Sequence, residues 1–551
     1  MFHQTRWLRA AHSAPEISMN VSRRFFNASL IAASLYPFTA PNLLAAGEAP
    51  VKGGSLKIAW GSEPTEFVPV TTSAGSTQFV GAKLFDGLLT YDIEQKPQPQ
   101  LAERWEASPD GLSYTFVLRE GIKFTDGKPL TSADVAYSIN KLKTVHPRGK
   151  STFASVSAIE TPDARTAILR LSTPAPYLIA ALSAAESPII PKHVYEPLKD
   201  GERIATNAIV GSGPFRVAEW QKGSHIIFNR NPDYWDKNAP LVDRIIVRFI
   251  SDPSARAAAL EAGDIDVVPE DLIPLSDIAR FDKLPDYVVD RGPYAYYGSI
   301  QQGLSFNFDN EILKKVKVRQ AIAHSLNVNE IIEKIYFGNA VPSPTAITVY
   351  NKAYHDASQK GYAYDPAKAN QLLDEAGHPR GADGFRFTLR LTWNTEGALP
   401  ATIATLYRQS LSAVGINAVI QTSDFAAFTK QIYTDRAWDL AIDRYGSTFD
   451  PTVGTQRFYH SKSFKIGVPF TNPARYLNPE ADALWDAAAV EVDETKRRKI
   501  FAELQAILLR DLPILPQVVA SRNIVTRRTV HDYATHATGS FDSAAQAWIK
   551  P

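Results

Sequence analysis

The sequence predicts an α/β fold that is divided into more than one domain. Strand-like and helix-like patterns alternate along residues 388–420, which is typical of chains that build an α/β sheet. A second stretch, residues 211–267, reads as three strands followed by one helix. The chain has 551 residues, of which 44% are hydrophobic, so it is long enough to bury the cores of two or three domains.

The elements of the N-terminal part follow from turn and cap signals. Residues 53–60 read as the first strand, and the Pro-Asp-Gly turn at 109–111 connects two strands of a hairpin. Thr131 and Asp134 have the spacing of a capping box, which predicts the start of a helix. Residues 166–171 form a further strand, so this part of the chain is predicted to be a small α+β region.

The boundaries of the block at 211–267 are also readable. It opens with a Gly/Pro turn at 211–214, continues with two alternating strands, and adds a third strand at 244–249. Asp252 can cap the helix that follows, and Gly263 suits the left-handed residue after its end.

The C-terminal part alternates between strands and helices. Asp365 begins a helix that Gly377 ends, and both residue types are typical of these positions. Further predicted elements include strands at 304–307, 388–393, 416–420 and 511–516 and helices at 329–337, 400–414 and 493–510.

Composition and motifs exclude several classes of protein. The formal net charge is +1, so neither a nucleic acid nor a membrane surface is implied as a partner. The sequence has no cysteine, which excludes disulfides, thiolate metal sites, a cysteine nucleophile and a lipid-anchored N-terminal cysteine. It has neither a G-x-S-x-G nor an H-E-x-x-H motif, so a secreted hydrolase stays only as an alternative from another class.

The N-terminus is predicted to be an export signal at 1–46. Ser-Arg-Arg-Phe-Phe at 22–26 resembles the twin-arginine motif, and the apolar run after it is too short to span a bilayer. Small residues at 45–46 offer a cleavage site. One departure from the motif leaves both the twin-arginine and the Sec routes open, and either Met1 or Met19 is the start.

Several stretches together resemble one family. They are Gly-Ser-Gly-Pro-Phe at 211–215, Arg-Asn-Pro-Asp-Tyr-Trp at 230–235, Ala-Gly-Asp-Ile-Asp at 262–266, and the runs 101–142 and 438–451. In this order and spacing, the chain is similar to the extracytoplasmic solute-binding proteins of family 5, the peptide/nickel class of ABC importers. The resemblance covers roughly residues 53–520.

The resemblance implies a two-lobed periplasmic binding protein of type II, of the large kind that carries an extra inserted α+β domain. The implied limits are 47–85, 206–298 and 515–551 for lobe I, 86–205 for the inserted small domain and 299–514 for lobe II. A ligand would bind between the lobes, hinge closure would enclose it, and a membrane permease with its ATPases would receive it. We expect a soluble periplasmic monomer without catalytic activity, cofactor or metal.

The resemblance also suggests which ligand groups bind. In peptide-binding members, an Asp three residues before an acid-Pro pair binds the peptide amine, and an aromatic residue lies three residues earlier. Counted back from Asp450, these positions hold Ser447 and Arg444, so the site is expected to favour an anionic group, which Arg can bind bidentately. The alternative is that Arg444 pairs with Asp443 or Asp439 outside the cleft. The predicted ligand-binding residues are Arg444, Tyr445, Ser447, Asp450, Trp393, Asn394, Trp60 and Tyr297.

The ligand class stays open among members of the same fold. Peptide-like or opine-like solutes are favoured, and oligosaccharides follow. A nickel or haem chelate is a further alternative, because His460 lies in the general region where nickel-binding relatives place a histidine. A single histidine without soft ligands is a weak metal site, so no metal is assigned.

Overall fold

The computed structural model of the protein describes residues 49–198, 204–270, 272–292, 294, 300–395, 399–446 and 448–551, with only the backbone at 207 and 300. The predicted export signal at 1–46 and the predicted site residues Tyr297 and Ser447 therefore lie outside the described residues. Within the described ranges, no helix combines the length and the apolar character that a membrane span requires.

The strands, in chain order, are β1 (Ser55–Trp60), β2 (Leu89–Tyr91), β3 (Pro97–Pro99), β4 (Ala102–Ala107), β5 (Ser113–Leu118), β6 (Val156–Glu160), β7 (Thr166–Leu171), β8 (Phe215–Gln221), β9 (His225–Arg230), β10 (Arg244–Phe249), β11 (Val267–Val268), β12 (Tyr287–Asp290), β13 (Ile300–Phe306), β14 (Ala340–Pro342), β15 (Phe387–Asn394), β16 (Ile416–Ser423), β17 (Leu440–Gly446), β18 (Ile514–Ala520), β19 (Ile524–Arg527), β20 (Val530–His531) and β21 (Trp548–Ile549).

The α-helices are α1 (Gly75–Leu84), α2 (Ser132–Val145), α3 (Gly149–Thr152), α4 (Lys192–Tyr195), α5 (Pro253–Glu261), α6 (Leu275–Phe281), α7 (Glu311–Lys314), α8 (Val316–Ser325), α9 (Val328–Lys334), α10 (Pro366–Glu375), α11 (Leu399–Ala413), α12 (Phe425–Lys430), α13 (Pro451–Gly454), α14 (Pro479–Val490) and α15 (Glu494–Asp511). Short helical turns of other types include Gln431–Asp435 and Gln456–Phe458.

The first sheet takes its strands from separate parts of the chain. Its order is β12-β19-β11-β1-β10-β9-β8, so that strands near residues 55, 215–290 and 525 lie side by side. β1 runs parallel to β10, with Leu56 opposite Ile245 and Ile58 opposite Val247. All four of these side chains are fully buried, so the first sheet is anchored by apolar pairs that are distant in sequence.

The second sheet separates two apolar cores. Its order is β14-β18-β13-β17-β15-β16, and helices alternate with its strands as the sequence predicts. Leu391 and Ile442 pack with residues of α8 and α11 in one core. Tyr445 and Ile514 belong to the other core, which includes residues of α14 and α15. Because residues of one strand alternate between the faces, β17 contributes to both cores.

The third sheet, with the order β4-β5-β7-β6, forms from residues 102–171. The turn predicted at 109–111 joins β4 to β5, and Gly111 has a φ of +67°, a conformation that glycine adopts without steric cost. Apolar residues of this sheet, among them Phe116 and Leu169, share one continuous core with those of the first sheet, such as Leu56. Residues Pro50–Pro551 accordingly form one compact unit.

The helix caps predicted from the sequence are present. The Asp134 carboxylate accepts hydrogen bonds from the backbone N–H of Thr131 at 2.8 Å and from its hydroxyl at 3.0 Å. Asp252 caps α5 and Asp365 caps α10, each by accepting a backbone N–H at 2.7 and 2.9 Å respectively. Gly263 has a φ of +78°. Local cap chemistry was therefore predicted correctly.

The motifs at 211–215 and 230–235 meet at the buried residue Asp86. The Tyr234 hydroxyl and the Trp235 indole N–H donate to it at 3.2 and 3.0 Å, and the Gln100 amide donates at 2.9 Å. The Asp86 backbone N–H in turn donates to the Ser212 hydroxyl at 3.1 Å. These bonds satisfy a carboxylate that burial would otherwise make costly, so the motifs have a structural role.

Gly211 lies directly against the end of α1. A Cβ atom built on Gly211 would lie 2.0 Å from the carbonyl oxygen of Leu84, and one on Gly213 would lie 2.5 Å from the carbonyl carbon of the same residue. The Gly213 N–H donates to that Leu84 oxygen at 2.8 Å. Glycine is required at these positions because two backbones approach each other closely.

The return from the second sheet to the first comes later in the chain than the limit of 515 implied by the resemblance. β18 pairs with β13 and β14 of the second sheet as far as Ala520. β19 begins at Ile524 and pairs with β11 and β12 of the first sheet. The reason is that β18 is apolar and almost wholly buried, so it completes the second sheet before the chain crosses.

Candidate functional site

The end of strand β17 holds two of the predicted ligand-binding residues on opposite faces of the second sheet. Tyr445 is 5% exposed, and its hydroxyl is hydrogen-bonded to Ser305. Arg444, the residue before Tyr445 on the strand, points to the other face and is exposed. It does not pair with Asp439, because Arg390 holds that carboxylate at 2.9 Å.

The Asp450 carboxylate is occupied by protein groups. It is 2% exposed and caps α13 by accepting the Thr452 backbone N–H at 3.0 Å. It also pairs with the Arg497 guanidinium at 2.6 and 3.0 Å. Arg497 donates to the Tyr354 hydroxyl at 2.8 Å as well. The geometry of Asp450 is that of a residue that fixes the turn after β17.

The predicted tryptophans are packed into the cores. Trp60 stacks on Phe79 with ring centroids 3.9 Å apart, and Trp393 is 5% exposed in a core of the second sheet. Asn394 is half-buried at the end of β15. Among the described residues, the predicted aromatic side chains thus offer little open surface.

Arg457 is a functional candidate that the sequence analysis did not identify. It lies in the helical turn Gln456–Phe458, where its carbonyl accepts the Asn472 N–H at 2.8 Å and its guanidinium lies 4.5 Å from the centre of the Phe458 ring. Its Nε atom is buried and has no hydrogen-bond partner in the described part of the chain. A buried guanidinium nitrogen without an acceptor is costly, which makes it a ready donor for an incoming anion.

A second arginine approaches Arg457 from another part of the fold. Arg148 lies between α2 and α3, next to the third sheet, and pairs with Glu186 at 2.8 Å. Burial and then the charge of Arg148 lower the pKa of Arg457 to about 10. We call Arg148 and Arg457 the arginine pair. Arg148 belongs to the region of the third sheet and Arg457 to that of the second sheet.

A carboxylate and a tyrosine lie near the arginine pair. The Asp443 carboxylate accepts the backbone N–H of Arg444 at 2.7 Å, and burial raises the pKa of Asp443 to about 6. The pKa of Tyr433 is raised by burial and then by Asp443, whereas Arg457 lowers it. Tyr433 is therefore close to both charged groups. Asp443 lies on the same side of β17 as Tyr445, because the two are two residues apart on the strand, and Tyr433 packs with Ala441 of that strand.

The two regions also touch away from these charges. Val492, in the loop between α14 and α15, has its Cγ1 atom 2.8 Å from where a Cβ on Gly111 would lie. Lys352 and Glu94 approach to 4.0 Å beside a groove of about 700 Å³ that Asp450 and Val492 help to line. The hairpin turn of the third sheet therefore rests on the second-sheet region.

His460 does not offer a metal site in this structure. Its Nε2 atom lies 3.1 Å from Asp486, and its Nδ1 atom accepts the Lys462 backbone N–H at 3.0 Å. Both ring nitrogens are thus engaged in fixing a turn. Among the described residues, no group of three or more His, Asp or Glu side chains is arranged to hold a metal ion.

The sequence carried only a weak signal for the arginine pair. The acid-Pro pair at 450–451 directed attention to residues before it, whereas Arg457 follows it. Arg148 has no motif, and nothing in the sequence shows that it meets Arg457 across the fold. An electrostatic effect between residues so distant in the chain becomes apparent only in the folded structure.

Comparisons with known proteins agree with the architecture. The model of "Bacterial extracellular solute-binding proteins, family 5 Middle" matches residues 96–465. A Brucella ovis protein named as an ABC transporter peptide-binding protein is 28% identical over 549 residues, which is 96% of this chain and 99% of that protein. The glutathione-binding protein GsiB of Salmonella typhimurium is 27% identical over 467 residues, or 84% of this chain and 88% of GsiB.

A solved structure shows the same fold. It is that of the periplasmic binding protein AgaA in complex with agropinic acid, from A. tumefacien R10. AgaA is 28% identical, has a TM-score of 0.73, and is matched over 90% of this chain and 99% of its own. The family match, the two large sheets and the inserted third sheet lead to one conclusion: the chain belongs to the bacterial extracellular solute-binding proteins of family 5, the solute-capturing components of ABC importers.

Proposed function

We propose that this protein captures a small solute with an acidic group between two lobes and delivers it unchanged to an ABC permease. The arginine pair carries this proposal. Arg457 presents a buried Nε without a partner, and the second guanidinium, that of Arg148, approaches from another part of the fold. A carboxylate or phosphate between the two would supply the missing acceptor and relieve the repulsion of like charges.

The relatives support an acidic group on the proposed ligand. Proteins named for binding glutathione and a structure holding agropinic acid are among those similar to this chain, and both compounds carry carboxyl groups. Peptide-like or opine-like acids therefore fit the arginine pair better than neutral oligosaccharides do. The acid is expected to bind Arg457 rather than Arg444 alone, because Arg444 faces the opposite side of the second sheet.

The closing movement belongs to the same proposal. Lobe I is 47–85, 206–298 and 521–551, the inserted domain is 86–205, and lobe II is 299–520, with the second crossing revised from 515 to 521. Hinge closure would bring Arg148 and Arg457 together around the ligand. Export through the segment 1–46, a monomeric state and the absence of catalysis complete the proposal. Tyr297, Ser447 and Asn394 stay predicted contacts, and Arg444 is left out of the proposed contacts.

The test begins with whatever solute the protein retains. The mature chain, exported and purified without added solute, is examined by native mass spectrometry, and the released compound is identified and titrated back by calorimetry. We expect an acid whose affinity falls roughly 10- to 100-fold in Arg457→Gln, the loss expected for a charge-assisted hydrogen bond. Arg408→Gln, an exposed arginine on α11, is the matched control and should bind as the wild type does.

Three results would count against the proposal. A retained compound without an acidic group, or an Arg457→Gln variant with unchanged affinity, removes the arginine pair from the site. Conversion of the compound during incubation would show catalysis. If the purified protein retains no compound, a thermal-shift screen with glutathione, trialanine and maltotriose replaces the mass spectrometry. A ligand at about 100 times its Kd stabilises the folded protein by about 2.7 kcal/mol, which the screen detects.

A further inference from the structure

A second cavity lies in the region of the second sheet, apart from the residues of the proposed function. It has a volume of about 450 Å³, within the range of small-molecule sites, and is bounded by the start of α9, the segment 355–364 and strand β18. We call it the β18 cavity. None of the described residues that line it belongs to the arginine pair, to the predicted ligand contacts or to the groove beside Asp450.

The walls of the β18 cavity are rigid. Pro344 and Pro516 line it, and proline has no side-chain rotamers to lose when a ligand binds. Gly361 packs so closely on Pro344 that an added Cβ would lie 2.8 Å from the proline Cβ. The Tyr362 ring also lines the cavity, and its hydroxyl donates to the Leu509 carbonyl at 3.0 Å. Because these groups are already ordered, a flat ring can pack on them at a low entropic cost.

The floor of the cavity holds a buried amide with a missing partner. Gln517 lines the cavity and is only 1% exposed. Its Oε1 atom accepts from the Tyr407 hydroxyl on α11, whereas its Nε2 atom has no hydrogen-bond partner among the described residues. The single hydroxyl satisfies one end of the amide, so the other end stays buried and unpaired. Such a group is unfavourable, and an oxygen of a bound molecule would satisfy it.

In the described part of the chain, the lining of the cavity includes basic residues but no acidic ones. The basic residues are Lys360 and His355. The Lys360 ammonium donates to the Ala357 carbonyl at 3.1 Å, which leaves two of its three protons for other acceptors. Asp356 and Asp365 are close in sequence but do not line the cavity, and each accepts a backbone N–H of its own turn at 2.9 Å. The cavity therefore favours an anionic group over a cation.

We propose that the β18 cavity is a second binding site, which takes a small aromatic carboxylate with an oxygen substituent on its ring. The carboxylate pairs with Lys360 at the exposed rim, the ring packs on Pro344 and Tyr362, and the ring oxygen accepts the Gln517 N–H at the floor. Each part of the ligand is matched to one feature of the lining. The site does not depend on the arginine pair, so it can be tested separately from the proposed function.

Three probes of nearly equal size separate these contributions. The compound para-hydroxybenzoate has both the charge and the ring oxygen, para-hydroxybenzamide lacks the charge, and benzoate lacks the ring oxygen. Ligand-observed NMR titrations with the full mature protein give the Kd of each. We expect para-hydroxybenzoate to bind about threefold to fivefold more tightly than the amide, as for an exposed ion pair. We expect it to bind about tenfold more tightly than benzoate, as for a hydrogen bond from a buried donor.

Variants assign the probes to the cavity. Lys360→Gln should remove the preference for the acid over the amide, and Lys283→Gln, at an exposed lysine after α6, is its matched control. Ala357→Trp places a large ring on the lining and should weaken the binding of all three probes by about tenfold or more. Ala258→Trp, at an exposed position on α5, should leave the binding unchanged. Gln517→Leu should remove the preference for the ring oxygen.

The results decide the proposal in either direction. If no probe binds the wild type, or if Ala357→Trp binds the probes as the wild type does, the cavity is not a site for such molecules. Equal binding of the acid and the amide, or a preference for the acid that survives in Lys360→Gln, rejects the anionic ligand. If Gln517→Leu does not fold, Lys360→Gln and Ala357→Trp still decide, because both of these positions are exposed.

The variant Arg457→Gln separates the two proposed sites. If the probes lose affinity in this variant, they bind at the arginine pair, and the second site is overturned. Unchanged affinity in Arg457→Gln, together with the loss in Ala357→Trp, supports the β18 cavity whether or not the proposed function holds.

Discussion

The Asp450 carboxylate and the Arg497 guanidinium form a two-pronged ion pair, with N–O distances of 2.6 and 3.0 Å. The side chains are only 3% and 2% exposed. The pair connects the turn after β17 to helix α15. Asp450, in that turn, is close in sequence to Arg457, which is proposed to bind ligand. The position of the end of β17 therefore depends on a buried charge pair.

Breaking this pair should destabilise the fold strongly. Arg497→Met leaves the Asp450 carboxylate buried without its partner, and we expect the free energy of unfolding to fall by about 3–5 kcal/mol. Urea denaturation measures the change. Arg498→Ala, which removes an exposed pair with Glu494, should cost less than about 0.5 kcal/mol. A loss below about 1 kcal/mol in Arg497→Met would contradict the structural role.

The glycine against α1 should not tolerate a side chain. In Gly211→Ala the new methyl group would meet the Leu84 carbonyl oxygen at 2.0 Å, and backbone cannot move aside as a flexible side chain can. We expect a loss of about 3 kcal/mol or more in thermal or urea unfolding. Gly75→Ala is the control, because its Cβ would meet only the Phe541 ring at 3.8 Å. Equal stability of the two variants would refute the close approach.

Acidification should destabilise the protein partly through His146. Burial and then the charge of Arg148 lower the pKa of His146 from 6.5 to about 4. Between these values the unfolded chain binds a proton that the folded chain does not, so stability falls as the pH falls through this window. The contribution is about 3 kcal/mol.

The variant His146→Asn isolates this effect. Asparagine keeps an acceptor for the Gly149 N–H, which His146 Nδ1 accepts at 3.0 Å, but it does not titrate. Urea midpoints at pH 7.5 and pH 4.5 should show a smaller loss on acidification for the variant than for the wild type. Parallel losses in both proteins would assign the acid sensitivity to other groups.

The contact of Val492 with the hairpin turn should favour the closed form. Val492→Ser removes apolar contact between the regions of the second and third sheets, and we expect ligand affinity to fall by about threefold with little change in stability. Calorimetry with the retained ligand measures the change in affinity. Val419→Ser, an exposed substitution on β16, should leave affinity unchanged. A Val492→Ser variant that binds as tightly as the wild type would remove this contact from closure.

Helix caps and turns were predictable from the sequence, whereas the pairing of strands that are distant in the chain was not. The caps at Asp252 and Asp365 and the turn at Gly111 follow from residues a few positions apart, so their signals are complete in the sequence. The end of the second sheet was misplaced at 515, because pairing of β18 with β13 depends on residues about two hundred positions away.

For the site, the sequence and the structure direct attention to the same region but to different residues. The acid-Pro pair pointed to the end of β17, and the residues proposed to bind ligand do lie nearby. A strand pattern shows which residues lie on the same face of a sheet, but it does not show which face is turned toward another part of the fold. Arg444 was therefore favoured from the sequence, whereas the proximity of Arg148 to Arg457 could not be foreseen. Trp60 and Trp393 illustrate the same limit, since aromatic residues serve cores as readily as ligand surfaces.

Strand β18 belongs to one large sheet and β19 to the other, and only Ser521, Arg522 and Asn523 separate them. Arg522 is held by Glu270 at 3.2 Å, and the Ser521 N–H donates to the Asn339 carbonyl at 2.9 Å. A connection of three residues has few backbone torsions that can change when one sheet moves relative to the other. If one half swings against the other, as the proposed function requires, this connection takes part in the movement, so we expect a single added or removed residue there to change the angle between the two sheets.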